Sequence, residues 1–391
     1  MKRLRASDKI IAIVLVLAIV VILGLAMWYD NTRKAPSEIV DTQTETVSER
    51  QSEIESETES IETETIETET ATEETTEPVD TTPVLNENPL TGEYNLTDGA
   101  VGKRPVAVMV NNVKKSMPQY GIAQADIIFE IPVEGFLTRF MAVYADYTQM
   151  PKICSVRSCR EYFPAIAKGF DAVYVYSGMA APIRDYVNSL NMTEFEGARN
   201  HGNLFGRDQE RRDAGYSLEH TFYFDGTGIV ESMEERNLRS DILEEKKGTA
   251  FSFYESEVAV VPEGKACTAV NINFGAAKAT LMYDEITNLY WKDFNGEPQI
   301  DGVTETQLAF MNVFVLETTI GTSDNGTHKD VDWHGGKGYY MTKGTMQEIT
   351  WAKKDEASDL VFYNANGEEL HINRGKSYIA INRKGRATFE E

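Results

Sequence analysis

The sequence predicts an α+β fold. A two-domain ectodomain, with a mixed α/β amino-terminal domain and a β-rich carboxy-terminal one, stands behind a single transmembrane helix and a disordered tether. Three observations carry this. An uncharged run of 20 residues lies at Ile10–Tyr29. A Thr/Glu/Ser-rich stretch follows over 30–88. Beyond it, strand and helix patterns alternate over 89–250, and hairpin-spaced strand patterns fill 251–391.

As a helix, the apolar run spans roughly 30 Å, the thickness of a bilayer's hydrocarbon core. Lys2, Arg3, Arg5 and Lys9 precede it. Residues 1–9 are therefore expected in the cytoplasm and the carboxy-terminal part outside the membrane. Trp28 and Tyr29 stand where an interfacial aromatic belt would lie. A cleaved signal peptide would show a shorter apolar core and a small-x-small site, whereas this run ends in Met27-Trp28-Tyr29. No cysteine directly follows it to carry a lipid.

The tether repeats itself, with IETET at Ile61–Thr65 and again at Ile66–Thr70. Such a segment cannot bury enough apolar area to offset the ordering of its backbone, and its like charges extend it. It could reach roughly 150–190 Å when fully stretched. The expected role is a spacer that lifts the folded part off the membrane. The chain carries 62 acidic and 38 basic side chains, a net charge of −24. Residues 35–88 supply −16 of this and residues 89–391 only −12. A negative folded part excludes nucleic acid as the expected partner, since phosphates need a basic face. Three cysteines are too few for a disulfide scaffold or a four-cysteine zinc site.

In the first half, Arg104–Val110, Asp126–Ile131 and Leu137–Ala145 read as strands, with Val133-Glu134-Gly135 as a turn. Ser158-Cys-Arg-Glu161 matches a capping box ahead of a helical pattern of Phe163, Ile166, Ala167 and Phe170. Asp171–Tyr176 is a further strand and Ala181–Leu190 a helix. In the second half, Asn295-Gly296 and Asn366-Gly367 read as hairpin turns, and Phe310–Thr319 and Gln347–Trp351 as strands.

Several motifs together resemble one family. They are Asn88-Pro-Leu-Thr-Gly92, Arg104-Pro-Val-Ala-Val-Met-Val-Asn-Asn112, Ala125-Asp-Ile-Ile-Phe-Glu130, Val133-Glu-Gly135 with Thr138-Arg139, and Val156-Arg-Ser158 before Tyr162-Phe163. Asp171-Ala172 with Tyr174-Val175, Gly335-Gly-Lys-Gly338 and Ile349-Thr-Trp351 follow. Over roughly residues 88–382 the chain resembles the YerB-like family of bacterial envelope lipoproteins, built around a paired domain of unknown function. The resemblance implies an extracytoplasmic, membrane-attached protein with an α+β domain followed by a β-rich one. It implies no reaction. The chain departs from the family pattern in its anchor, in Cys159 and Glu161 where alanine and proline are expected, in Tyr176 where a histidine is expected, and in Thr221 after His220 where an asparagine is expected.

The candidate ligand-binding residues are Asn112, Glu134, Arg139, Arg157, Arg160 and His220. Arg157 and Arg160 flank the expected helix start, where free N–H groups and paired guanidiniums suit a carboxylate or phosphate. Asn112 and Glu134 would bond hydroxyls or amides, and His220 would orient the ligand. The competing reading is an internal ion pair of Arg157 or Arg139 with Glu130 or Glu134. The leading expectation is a non-enzymatic binding or scaffold module that acts on the cell wall or on envelope proteins. The alternative is a wall hydrolase with Glu130 or Glu134 as general acid, which needs a carboxyl of raised pKa. A second alternative is a structural partner of another membrane protein.

Cys154 and Cys159 are read as buried thiols or as a disulfide, and Cys267 as a core residue. His328, Asp330, Asp332 and His334 fall within seven residues and read as a polar loop rather than as metal ligands. Gly335-Gly-Lys-Gly338 lacks P-loop spacing and reads as a tight turn. No cofactor and no metal is expected.

Overall fold

The computed structural model describes residues 85–199, 201–323 and 326–391. The expected anchor at Ile10–Tyr29, and the tether up to residue 84, lie outside the described residues. Among the described residues no helix is long and apolar enough to cross a membrane.

The described chain opens with a short hairpin, β1 (Asn86–Glu87) and β2 (Tyr94–Leu96). Three long strands follow: β3 (Val106–Asn112), β4 (Ile127–Pro132) and β5 (Thr138–Tyr144). Next come β6 (Lys152–Cys154), α1 (Tyr162–Gly169), β7 (Val173–Tyr176), α2 (Ala181–Ser189) and β8 (Glu194–Glu196). Strands β9 (Phe205–Arg207) and β10 (Phe222–Asp225) flank α3 (Gln209–Asp213), and α4 (Ile229–Glu235) ends this half. The second half runs β11 (Lys265–Ala266), β12 (Ala269–Asn273), β13 (Lys278–Asp284), β14 (Leu289–Phe294), β15 (Glu297–Pro298), β16 (Ala309–Phe310) and β17 (Asn312–Thr318). It continues with β18 (Ile320–Thr322), β19 (Lys329–Val331), β20 (Gly335–Thr342), β21 (Thr345–Ala352), β22 (Val361–Tyr363), β23 (Ser377–Arg383) and β24 (Ala387–Glu390).

One mixed sheet holds both halves. Its order is β11-β21-β20-β17-β23-β4-β5-β3-β7-β8, with β22 on β21. The join is β23 lying parallel to β4, with Ser377 opposite Ile127 and Ala380 opposite Glu130. Strands β3, β4 and β5 are buried along their whole length, and β17 and β23 nearly so. This explains their near-continuous apolar runs, since a strand covered on both faces does not alternate. A second, antiparallel sheet of order β15-β14-β13-β12-β24, with β16 on β14, lies in the carboxy-terminal half. There β14 alternates buried and half-buried residues, the pattern of a sheet with one face toward solvent. A third sheet is β6-β10-β9.

The buried apolar core is continuous across both halves. On one face of the main sheet an aromatic chain runs from Phe129 through Phe170, Phe251 and Phe362 to Phe314, with ring centroids 6.0, 6.2, 5.5 and 4.3 Å apart.

The hairpin at Asn295-Gly296 joins β14 to β15 with φ of +53° and +82°, as the sequence pattern requires. Two local expectations are corrected. Ser158 does not cap a helix: α1 begins only at Tyr162, after Glu161, with no side-chain cap. Tertiary bonds claim the segment instead. The Ser158 carbonyl accepts from Arg139, and the Cys159 N–H donates to the Gly178 carbonyl. The glycines at 335–338 do not form a turn either. They open β20, where a Cβ on Gly336 would stand 2.1 Å from the Glu317 carbonyl oxygen and one on Gly338 2.7 Å from that of Val315. Close approach of β17, not turn geometry, calls for glycine there.

Candidate binding site

Strand alternation decides which residues can meet. Asn111 and Asn112 end β3, and successive side chains point to opposite faces. Asn111 pairs in register with Arg139 of β5, and Asn112 with Thr138. Asn111 and Arg139 therefore share one face, and Asn112 and Thr138 the other.

On the first face, Arg139 donates to the Ser158 carbonyl at 2.7 Å and to Glu134 Oε1 at 3.1 Å. Glu134 comes from the short helical turn Glu134–Phe136 between β4 and β5. Arg160 reaches the same carboxylate, with Nε 2.8 Å from Oε2 and a second bond from its Nη2 to Oε1. Its Nη1 donates to the Cys159 carbonyl at 2.6 Å. Burial pushes the Glu134 carboxyl up, but the Arg160 hydrogen bonds and the Arg139 charge outweigh it and hold it at about 2. Burial, with the Arg160 charge beside it, pulls the Arg139 guanidinium down to about 10.

Arg157 stands next to this pair. Its backbone is pinned against β3, with its N–H on the Met109 carbonyl and its carbonyl accepting from Ser177. Its Nη2 lies 3.1 Å from Glu219 Oε2, and 26% of the side chain is exposed. Its Nε is buried without a hydrogen-bond partner. Asn111 Nδ2 donates to His220 Nδ1 at 3.1 Å, which places the ring proton on Nε2, 3.7 Å from Glu219 Oε1. Burial lowers the His220 pKa, with the Arg157 and Arg211 charges adding to it against Glu219. Burial also lowers that of His328, helped by the Arg160 charge, which puts His328 in the field of the same cluster.

Five of the six expected residues thus gather: Glu134, Arg139 and Arg160 by direct ion pairs, Arg157 and His220 through Glu219, and the two groups through the Asn111–Arg139 pairing. Asn112 is corrected. It faces the opposite side and donates to Glu130 Oε1 and Thr138 Oγ1, each at 2.8 Å. Asn111 takes the place expected for it. Asn111 and Glu219 were not singled out as site residues from the sequence, and His328 was read there only as part of a polar loop. A strict period of two along β3 would have separated the two asparagines, but the other two contacts are made only by folding.

Both carboxyls of the acid–base alternative are engaged by other side chains. Glu130 is fully buried, bonded to Asn112, Thr138 and, at 2.6 Å, the Tyr378 hydroxyl, with Lys292 at 3.4 Å. Glu134 is held ionised, the opposite of what a general acid requires. The three cysteines are unbonded and buried, so Cys154 and Cys159 form no disulfide. Burial pushes their thiols up, to about 11 for Cys154 and Cys267 and about 12 for Cys159. Among the described residues no group of three or more His, Cys, Asp or Glu side chains could hold a metal ion.

Residues 90–239 match the family described as protein of unknown function (DUF3048), N-terminal domain, and residues 270–379 its C-terminal domain. A curated relative from Bacillus subtilis (strain 168), "Putative lipoprotein YerB", is 28% identical over 302 residues, covering 75% of this chain and 85% of its own length. The chain belongs to the YerB-like family. The crystal structure of the YerB protein from Bacillus subtilis superposes with a TM-score of 0.68 at 25% identity, over 78% of this chain and all of that one. In this YerB-like chain the arginine cluster lies within the first matched region. His328, whose titration the cluster perturbs, comes from the second.

Proposed function

We propose that this chain is a membrane-attached, extracytoplasmic binding module of the bacterial cell envelope, and that the Arg157 side of the arginine cluster takes a carboxylate of a cell-wall peptide. One observation carries the ligand class. Glu134 occupies Arg139 and Arg160, whereas Arg157 is partly open to solvent and leans on the half-exposed Glu219. An exposed ion pair of that kind is worth about 0–1 kcal/mol, so an incoming carboxylate displaces Glu219 at little cost. Arginine binds carboxylates bidentately, and the neutral His220 beside it supplies a further polar group. Membrane attachment rests on the apolar run Ile10–Tyr29 behind Lys2, Arg3, Arg5 and Lys9, and on likeness to a relative described as a lipoprotein. The tether then sets the module away from the bilayer.

The test is to incubate the full-length protein with peptidoglycan sacculi and with defined muropeptides, separate bound from free protein, and read the muropeptides by mass spectrometry. The expected result is retention with no change in muropeptide mass, weakened at least tenfold by Arg157→Ala. A mass change abolished by Glu134→Gln would make the protein a hydrolase. Absence of retention would move the search to protein partners in the envelope. Reporter fusions after residue 88 that are active only outside the cytoplasm are the expected topology.

A further inference from the structure

The opposite face of the main sheet carries a chemical constellation that ligand binding does not use. Lys292 of β14 is fully buried, as is Glu130. Its Nζ donates to Gln299 Oε1 at 2.7 Å and stands 3.4 Å from Glu130 Oε2. The rings of Phe140, Tyr378 and Phe294 surround it, with centroids 5.5, 5.5 and 5.9 Å away. The Gln299 carboxamide is fixed from its other end. Its Nε2 donates to Asn112 Oδ1 at 2.9 Å and to Gln119 Oε1 at 3.3 Å. Glu130 is fixed in turn by Asn112, Thr138 and Tyr378. A primary amine, a carboxyl and a primary carboxamide therefore meet in an aromatic-lined space shut off from solvent. With a C=O bond of about 1.2 Å, the carboxamide carbon lies within about 4 Å of the amine nitrogen, near the range of a poised attack. Burial lowers the proton affinity of Lys292 against the pull of Glu130, which favours the neutral, nucleophilic amine.

We propose that Lys292 and Gln299 condense into an intramolecular isopeptide bond, with Glu130 as the proton carrier. The Lys292 ammonium passes a proton to Glu130. The freed Nζ lone pair attacks the Gln299 Cδ, and the new C–N bond forms. The carboxyl returns its proton to the departing Nε2 and takes up one from the attacking nitrogen. The old C–N bond breaks and ammonia leaves. One amine and one carboxamide become one secondary amide and one ammonia, with no redox change and no co-reactant. The product also removes a buried cation, which is costly to keep in a dry interior. The ring it closes ties β14 to the segment after β15 at the point where Gln299 bonds Asn112 and Gln119 of the amino-terminal half.

The test is peptide mapping of the purified full-length protein by mass spectrometry. Trypsin should fail to cut after Lys292 and release residues 279–329 as one peptide lighter by one ammonia. Cyclisation at Asn295-Gly296 would lose the same mass, so a second cut after Phe294 with chymotrypsin separates the two cases. With the isopeptide, the segments carrying Lys292 and Gln299 stay joined after that cut. Segments that separate, a bond from Lys292 to Asn112 instead, or normal cleavage after Lys292 would each overturn the proposal. Glu130→Gln, folded as judged by its circular dichroism, should restore cleavage after Lys292. A bond that still forms in that variant would remove Glu130 from the proposal.

Discussion

Glu134 shows how one side chain can be spent on structure and so shape what its neighbours do. Two guanidiniums, both buried, converge on it. Glu134→Gln leaves both with weakened partners and is expected to destabilise the fold at neutral pH by about 2–3 kcal/mol, the range for breaking a partly buried charge cluster. The pH dependence follows from the direction of the shift. The folded carboxyl sits at about 2 and its ordinary value is 4.5. Its stabilisation is fully present above 4.5 and is lost as pH falls toward 2. Urea unfolding of wild type and Glu134→Gln should therefore differ at pH 6, and the gap should close between pH 4.5 and 2. A gap that stays constant would mean that the charge contributes nothing. Arg157→Ala should cost less than about 1 kcal/mol by the same measurement, because its ion pair with Glu219 faces solvent.

At the level of single elements, the alternation of β3 assigns two identical neighbours to different work. Asn112 joins Glu130, Thr138, Gln119 and Gln299 in one buried network, whereas Asn111 bonds His220. Asn112→Ala leaves several buried polar groups unpaired and should cost about 2–4 kcal/mol, against about 1 kcal/mol for Asn111→Ala, as read from urea midpoints. Equal losses would contradict the assignment of faces. On β20, Gly336→Ala drives a Cβ into the Glu317 carbonyl and should cost about 1–3 kcal/mol by the same assay, since the backbone of β17 must move.

Across the whole molecule, the parallel pairing of β23 with β4 makes the two family regions one mechanical body. The aromatic chain from Phe129 to Phe314 and the close approach of Lys292 to Glu130 cross between the same halves. Scanning calorimetry should show one transition for residues 85–391, and residues 85–250 expressed alone should show no cooperative unfolding, because β4 would expose a bare edge where β23 belongs. Two resolved transitions would refute this.

What could be read along the chain was whatever depends on near neighbours. Burial on both faces produces long apolar runs, so β3, β4, β5 and β17 were visible. The positive φ of Asn295 and Gly296 needs those residue types, so that hairpin was visible too. The arginine cluster was legible as a set because the β4–β5 turn and the segment before α1 each carry their charges close together in sequence. Contacts between distant segments were not legible. Ser158 looked like a helix cap until Arg139 claimed its carbonyl, and Gly335–Gly338 looked like a turn until β17 came within reach. The pairing of Asn111 with His220, the enclosure of Lys292 by three rings and the single sheet through both halves all depend on strand order. Strand order is settled by which buried faces fit together in space, and local propensity carries no record of that.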